Sequence, residues 1–294
     1  MSSIGVSLNE ASRPSRHVLS YGIGPMCDRP SILVQSIGAV HMRHAASIRR
    51  LQLLAEIARL GLGYAQVVRE VEGMQGLPKD KPLFDQLETY AKEQSPDFFD
   101  LHALVTVRLW SILEAFVHDI CCLLLAKVPS VREQEAVAKL KAPVIKLLSS
   151  GEQEQAEYLY QLIDSACSAA LKPGVGRFEA VLNALGFGGP VNGRVRDTLY
   201  HCSKLRNCIV HNDGIVDKQL VDACPWWRGT EGTRVGITAV MSQKHLFAVC
   251  WYMMEVQRRV LPGNFGGMAK LIEEQDSCVE SIEKGGRPGQ FPFA

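Results

Sequence analysis

Arg206, Asn207 and His211 stand close together in the stretch LRNCIVHNDG, residues 205–214. At about 100° per residue, Val195, Leu199, Cys202, Ile209 and Val210 share one sector of a helical wheel roughly 100° wide, and Arg206 lies inside it. A guanidinium cannot shed its charge and is costly to bury alone. Arg206 therefore calls for a carboxylate, a phosphate or a wet interface. Asn207 and His211 are four apart, so they stack on a neighbouring face and can approach the same point. An imidazole titrates near neutral pH and can both take and give a proton. The combination suits binding an anion beside an acid–base group. It also suits a purely structural role: a basic residue near a helix C-terminus complements the macrodipole, Asn-Asp-Gly stops a helix, and a core arginine can bind a structural glutamate.

The motif needs a helix to hold it, and Val191 to about His211 reads as that helix. Between those positions Arg194, Arg196, Lys204 and Arg206 face only Asp197. This local excess of three positive charges is hidden in a 294-residue chain of formal net charge +1. Near-neutrality argues against a histone-like coating role, so any nucleic-acid affinity must come from a patch. The segment from about Asp97 to Lys127 is apolar on nearly every side and reads as the buried centre of an all-helical domain, with Ser95 and Pro96 starting it. Glu114 sits in that helix among apolar neighbours and needs a partner, either Arg206, His118 or water. Around this centre, helices are expected from Ile32 to about Val71 (one or two), Leu83 to Lys92, between Pro129 and Pro143, Glu152 to Leu171, Phe178 to Leu185 and Met241 to Val260. Residues 73–82 read as a loop. After the motif, GIVDKQLVDAC and TRVGITAV, separated by PWWRGTEG, suggest a β-hairpin near 214–240.

The fold class is thus all-α, a helical bundle with a small β-hairpin after the motif helix. Its organisation reads as a flexible segment 1–30, an N-terminal helical extension 31–94, a helical domain 95–262 and a loose tail 263–294. The hydrophobic share of 47% and charged share of 21% are ordinary for a globular chain, which argues against disorder. Nine cysteines without Cys-x-x-Cys spacing point to reduced, mostly buried thiols and a cytoplasmic setting. Charged residues interrupt every apolar run, so no membrane association is expected. No phosphate loop, dinucleotide motif, zinc-protease motif or nucleophile elbow is found. His41 and His44, three apart on a helix, lack an acidic or cysteine companion in sequence, so no metal and no cofactor is expected. Trp226 and Trp227 belong to loop packing or stack on unpaired bases.

RNCIVH at 206–211, closing a helix and followed by NDG, resembles the arginine, four-to-six-residue, histidine motif of HEPN domains. RLWSILEAFVHDI at 108–120 resembles the central helix of that superfamily, and HNDGIVDKQLVD with the segments after it resembles the RiboL-PSP-like branch. The likeness covers about residues 95–260. It implies a metal-independent endoribonuclease acting as a homodimer, with two motif helices facing each other across one composite site. His211 would be base or acid, Arg206 would hold the phosphate, and Asn207 would orient the imidazole or donate to a phosphate oxygen. Glu114 would orient Arg206. Lys204, His201, Arg194 and Arg196 would touch the RNA. A toxin or anti-phage effector is the implied setting, with an antitoxin or other defence-system protein as candidate partner. The same likeness admits a catalytically inert module that binds RNA or a protein, and a coincidental motif in a structural helical protein stays open beside it.

Overall fold

A computed structural model describes residues 30–72, 98–141, 150–225, 227 and 229–261, with isolated positions between 86 and 93. The flexible segment, the loop 73–82, the start at Ser95 and Pro96, Pro143 and the C-terminal tail read from sequence lie outside the described residues. The chain is predominantly helical, and no strand is present among the described residues. Helix α1 spans Pro30–Glu72 as one element, α2 Phe99–Lys127, α3 Pro129–Arg132, α4 Glu135–Ala138 and α5 Glu152–Ala166. A 3-10 turn at Ala169–Leu171 leads to α6 at Gly176–Ala184, followed by the motif helix α7 at Gly193–His211. Two further helices, α8 at Lys218–Ala223 and α9 at Ala239–Val260, complete the described chain.

The all-round apolar α2 lies at the centre, packed by α1, α5, α7 and α9. Leu109, Leu113, Phe116, Ile120 and Leu124 are fully buried along it. Each such side chain contributes roughly 1.5–3 kcal/mol by leaving water, so the helix organises everything around it. Its length and composition would also let it cross a bilayer, a property the interrupting charges had argued against. Asp100 in the first turn and Lys127 in the last complement its dipole, and Pro129 opens α3 as a first-turn proline. Cys121, Cys122, Cys202, Cys208, Cys224 and Cys250 are free, buried thiols.

α1 adds its inner face to the same core through Ile37, His41, His44 and Ile48, while Leu54 is exposed. His44 Nε2 lies 2.7 Å from Asp119 Oδ2, and Arg43 pairs with the same oxygen. Packing thus gives His44 the acidic companion that local sequence did not show. No group of three His, Cys, Asp or Glu is arranged to hold a metal among the described residues. On the other side of Asp119, His118 Nδ1 is 3.4 Å from Oδ1 and His118 Nε2 is 3.6 Å from Cys122 Sγ. Bonding to Asp119, then to Cys122, raises the His118 pKa from 6.5 to about 10. A histidine with a raised folded-state pKa stabilises fully below its unfolded value and loses that contribution as pH climbs through the folded one. Thermal unfolding midpoints should therefore fall between pH 6.5 and about 10, and His118→Gln should flatten that slope.

The end of α9 is fixed by a buried ionic cluster. Arg259 donates from Nε to Glu255 at 2.8 Å and from Nη1 to both Glu179 oxygens at 2.9 Å. Tyr252 donates to Glu179 at 2.6 Å, and Arg258 closes the set with two bonds to Glu255. The cluster ties α9 to α6.

The expected hairpin is replaced by a single antiparallel bridge, Ile215 to Arg234, supported by Val216 N–H to the Thr233 carbonyl at 2.9 Å. The reason is local. Asp217 accepts from the Leu220 N–H at 2.8 Å and starts α8, so the chain coils where the first strand of the hairpin was expected. Thr238 then caps α9 by accepting from Met241 N–H at 3.2 Å.

Candidate active site

α7 begins where Asn192 Oδ1 accepts from the Arg194 and Val195 N–H groups at 3.0 and 3.4 Å. It stops where Asn212 N–H and Gly214 N–H both reach the Cys208 carbonyl, at 2.9 and 3.2 Å. That stop needs two successive left-handed residues, Asp213 at φ 50° and Gly214 at φ 71°. Aspartate tolerates this region better than most side chains and glycine enters it freely, which explains the NDG sequence. Beneath the helix end lies a small separate core of Leu205, Cys208, Val216, Leu220, Cys224, Val235 and Ile237. The bridge and α8 thus form a platform that fixes the motif's height and orientation.

Asp217 joins platform to motif, because its second oxygen accepts from Asn212 Nδ2 at 2.7 Å while the first caps α8. Asp217→Ala should uncap α8 and release Asn212, lowering stability by about 1–2 kcal/mol in denaturant titration.

On this platform Arg206 is half-buried and Asn207 and His211 are exposed. Arg206 Nη1 donates to Asn207 Oδ1 at 3.0 Å. Its Nε is buried without a partner, and no carboxylate pairs with the guanidinium among the described residues. Glu114, read from sequence as a candidate partner for Arg206, faces elsewhere. It lies 3.5 Å from Arg177 Nη1, and Arg177 Nε is 3.6 Å from Asp164. Glu114 is therefore on the flank of α2 that meets α5 and α6, not the flank that meets α7.

The apolar sector of α7 also changes character along its length. Val195, Leu199 and Cys202 are buried, but Val210 is 49% exposed and Ile215, just past the stop, 42%. Arg206 thus occupies the part of the stripe that runs out toward solvent.

The basic residues divide. Lys204 lies over the Tyr200 ring at 5.6 Å, a cation–π distance that leaves its ammonium at the surface. Arg196 is exposed and pairs with Asp197 at 3.4 Å. Arg194 is exposed near the start of α7. His201, expected to touch the RNA, is instead 7% exposed, because α9 packs against that side of α7 and brings His245 to it. Sequence reasoning missed Lys244 and His245, which lie far along the chain and come beside α7 only through packing, and Arg177, which meets Glu114 on the other flank of α2.

No family model, curated protein or solved structure matches this chain. The functional reading therefore rests on the residues themselves. They put at one helix end a permanent cation that meets no carboxylate among the described residues, a carboxamide bonded to it, and an exposed imidazole four residues from that carboxamide. Such a set can hold a phosphodiester through the guanidinium while the imidazole moves a proton.

Proposed function

We propose that this chain is an endoribonuclease of the HEPN type, cleaving RNA by attack of a ribose 2′-OH on the adjacent phosphorus. The carrying observation is Arg206: a half-buried guanidinium with an unpartnered buried Nε and no ion pair among the described residues. An arginine kept for structure would be expected to hold a carboxylate, and among the described residues Arg206 holds only the neutral Asn207. A phosphodiester supplies the missing charge and acceptors, and the negative charge that grows in the transition state strengthens that contact.

In this scheme the 2′-oxygen forms a bond to phosphorus as its proton passes to an imidazole, and the bond to the 5′-oxygen breaks as that oxygen gains a proton. The products are a 2′,3′-cyclic phosphate and a 5′-hydroxyl. The reaction asks only for a base, a cation and an acid, so the residues at hand suffice without a metal. One His211 cannot serve as base and acid in the same step. Two-fold pairing of motif helices supplies the second, and the exposed Val210 and Ile215 beside the motif give that pairing apolar surface. A toxin or anti-phage effector of the cytoplasm is the biological setting that fits such an activity.

The test is incubation of purified protein with structured RNAs in excess chelator, with end-group analysis of the products. Cleavage yielding 2′,3′-cyclic phosphate ends is expected. Cleavage abolished by chelator, or other ends, would contradict the scheme.

A further inference from the structure

A half-open cleft of about 540 Å³ lies beside the first half of α7, between it, the Trp227 loop and the start of α9. This volume lies within the roughly 300–1,000 Å³ of small-ligand sites. Its floor is a chain of buried polar groups. Thr106 Oγ1 is 3.3 Å from His245 Nδ1, and His245 Nε2 is 3.4 Å from His201 Nδ1. His201 Nε2, the last atom of that chain, is buried without a partner. Thr106 is fully buried and its hydroxyl has no other hydrogen-bond partner among the described residues. With that hydroxyl donating to His245 Nδ1, His245 Nε2–H donates to His201 Nδ1 and the His201 proton sits on Nε2 without an acceptor, an order that satisfies the buried hydroxyl where the reverse order does not. Burial lowers both histidines, His201 to about 4 and His245, helped by its neighbour, to about 3. Each is neutral at pH 7 and has a single N–H, as the chain requires.

Every other strong group in the cleft matches an acceptor with a flat apolar part. Arg194 and Lys244 line it with positive charge, and Asp197, the acid there, is paired with Arg196. Trp227 forms a wall with Met241, its ring centroid 6.2 Å from that of His201. Gly229 lets the indole lie there, since a Cβ at 229 would come within 2.1 Å of the ring. From His201 the helix surface leads by way of Lys204 to His211, about 15 Å along the axis.

We infer that this cleft binds one unpaired nucleotide of the RNA strand, its base against Trp227 and hydrogen-bonded by His201 Nε2–H, its phosphate between Arg194 and Lys244. The inference rests on the proposed action on RNA, and makes unpaired RNA the substrate: base–aromatic stacking and a cationic groove are how single strands are held. His201 and Trp227 are positioning residues here, since neither meets the reacting bond.

The test is fluorescence anisotropy with a short 2′-O-methyl oligoribonucleotide, which binds but cannot be cleaved. Trp227→Ala and His201→Phe should each weaken binding roughly five- to a hundredfold. Lys244→Glu, at a half-buried residue, should weaken it with little risk to the fold, and a same-length strand held in a duplex should bind less well than the single strand. Unchanged affinity in folded Trp227→Ala, His201→Phe and Lys244→Glu proteins would overturn the inference and leave the cleavage scheme untouched. A free nucleoside monophosphate binding as tightly as the strand would overturn it too, by showing a small-molecule site. Loss of strand binding in the cleft variants of a protein that cuts no RNA would uphold the cleft and remove the nuclease.

Discussion

Arg206→Ala is expected to slow RNA cleavage by on the order of 10²- to 10³-fold, the loss typical of one donor aimed at developing negative charge. His211→Ala should cost on the order of 10²- to 10⁴-fold, the range for a positioned acid–base group. Stability measurements separate this account from the structural alternative. An arginine that neutralised a buried carboxylate would cost about 3–5 kcal/mol when removed. Arg206 has no such carboxylate among the described residues, and its buried Nε is already unsatisfied. Arg206→Ala and Arg206→Leu should therefore unfold within about 1 kcal/mol of the parent in denaturant titration, or at higher denaturant. Large loss of activity with little loss of stability is the expected signature. Equal losses of both would make Arg206 a structural residue.

Arg259 should show the opposite behaviour. Its side chain is 7% exposed and faces Glu179 and Glu255, whose side chains are 14% and 6% exposed. Arg259→Met would leave Glu179 buried without its cation and Glu255 with Arg258 alone, a loss of about 3–5 kcal/mol by denaturant titration. The site end of α7 does not touch this cluster, so cleavage by the fraction that folds should be little changed. Burial acts to raise the Glu255 pKa, but hydrogen bonds from Arg258 and Arg259 outweigh it and hold the group below its ordinary range. A carboxylate depressed in the folded state stabilises above its unfolded pKa and loses that contribution as pH falls through the folded one. Acid unfolding should therefore be less steep in Arg259→Met, which lacks part of that linkage.

Periodicity made the helices legible because their apolar stripes report directly on a shared core. α2, apolar all round, could only be central, and the NDG stop marked the end of α7 at about His211, where the helix closes. What failed was set by competition between local and long-range terms. GIVDKQLVDAC has β-branched residues, but Asp217 as a cap and the helix formers after it won, leaving one bridge where a hairpin was expected. Glu114 found an ionic partner, at 32% side-chain exposure where burial was expected, yet which flank of α2 it occupies depends on where α5 and α6 dock, and Arg177 lies 63 positions away in the chain. His201 shows the same limit: expected to meet RNA, it became a buried link once α9 brought His245 beside it. The motif residues were legible as a set because they lie within one stretch of helix. The cleft was not, since its walls come from three separate segments.

The composite site is tested most directly by titrating His211→Ala protein into wild-type protein held at constant concentration and following RNA cleavage after subunit exchange. Because two imidazoles from two chains share one reaction, mixed dimers should be nearly inactive, and excess variant should drive the wild-type rate toward zero. A wild-type rate unchanged by a large excess of exchanged variant would mean that each chain cuts alone, and would contradict the account.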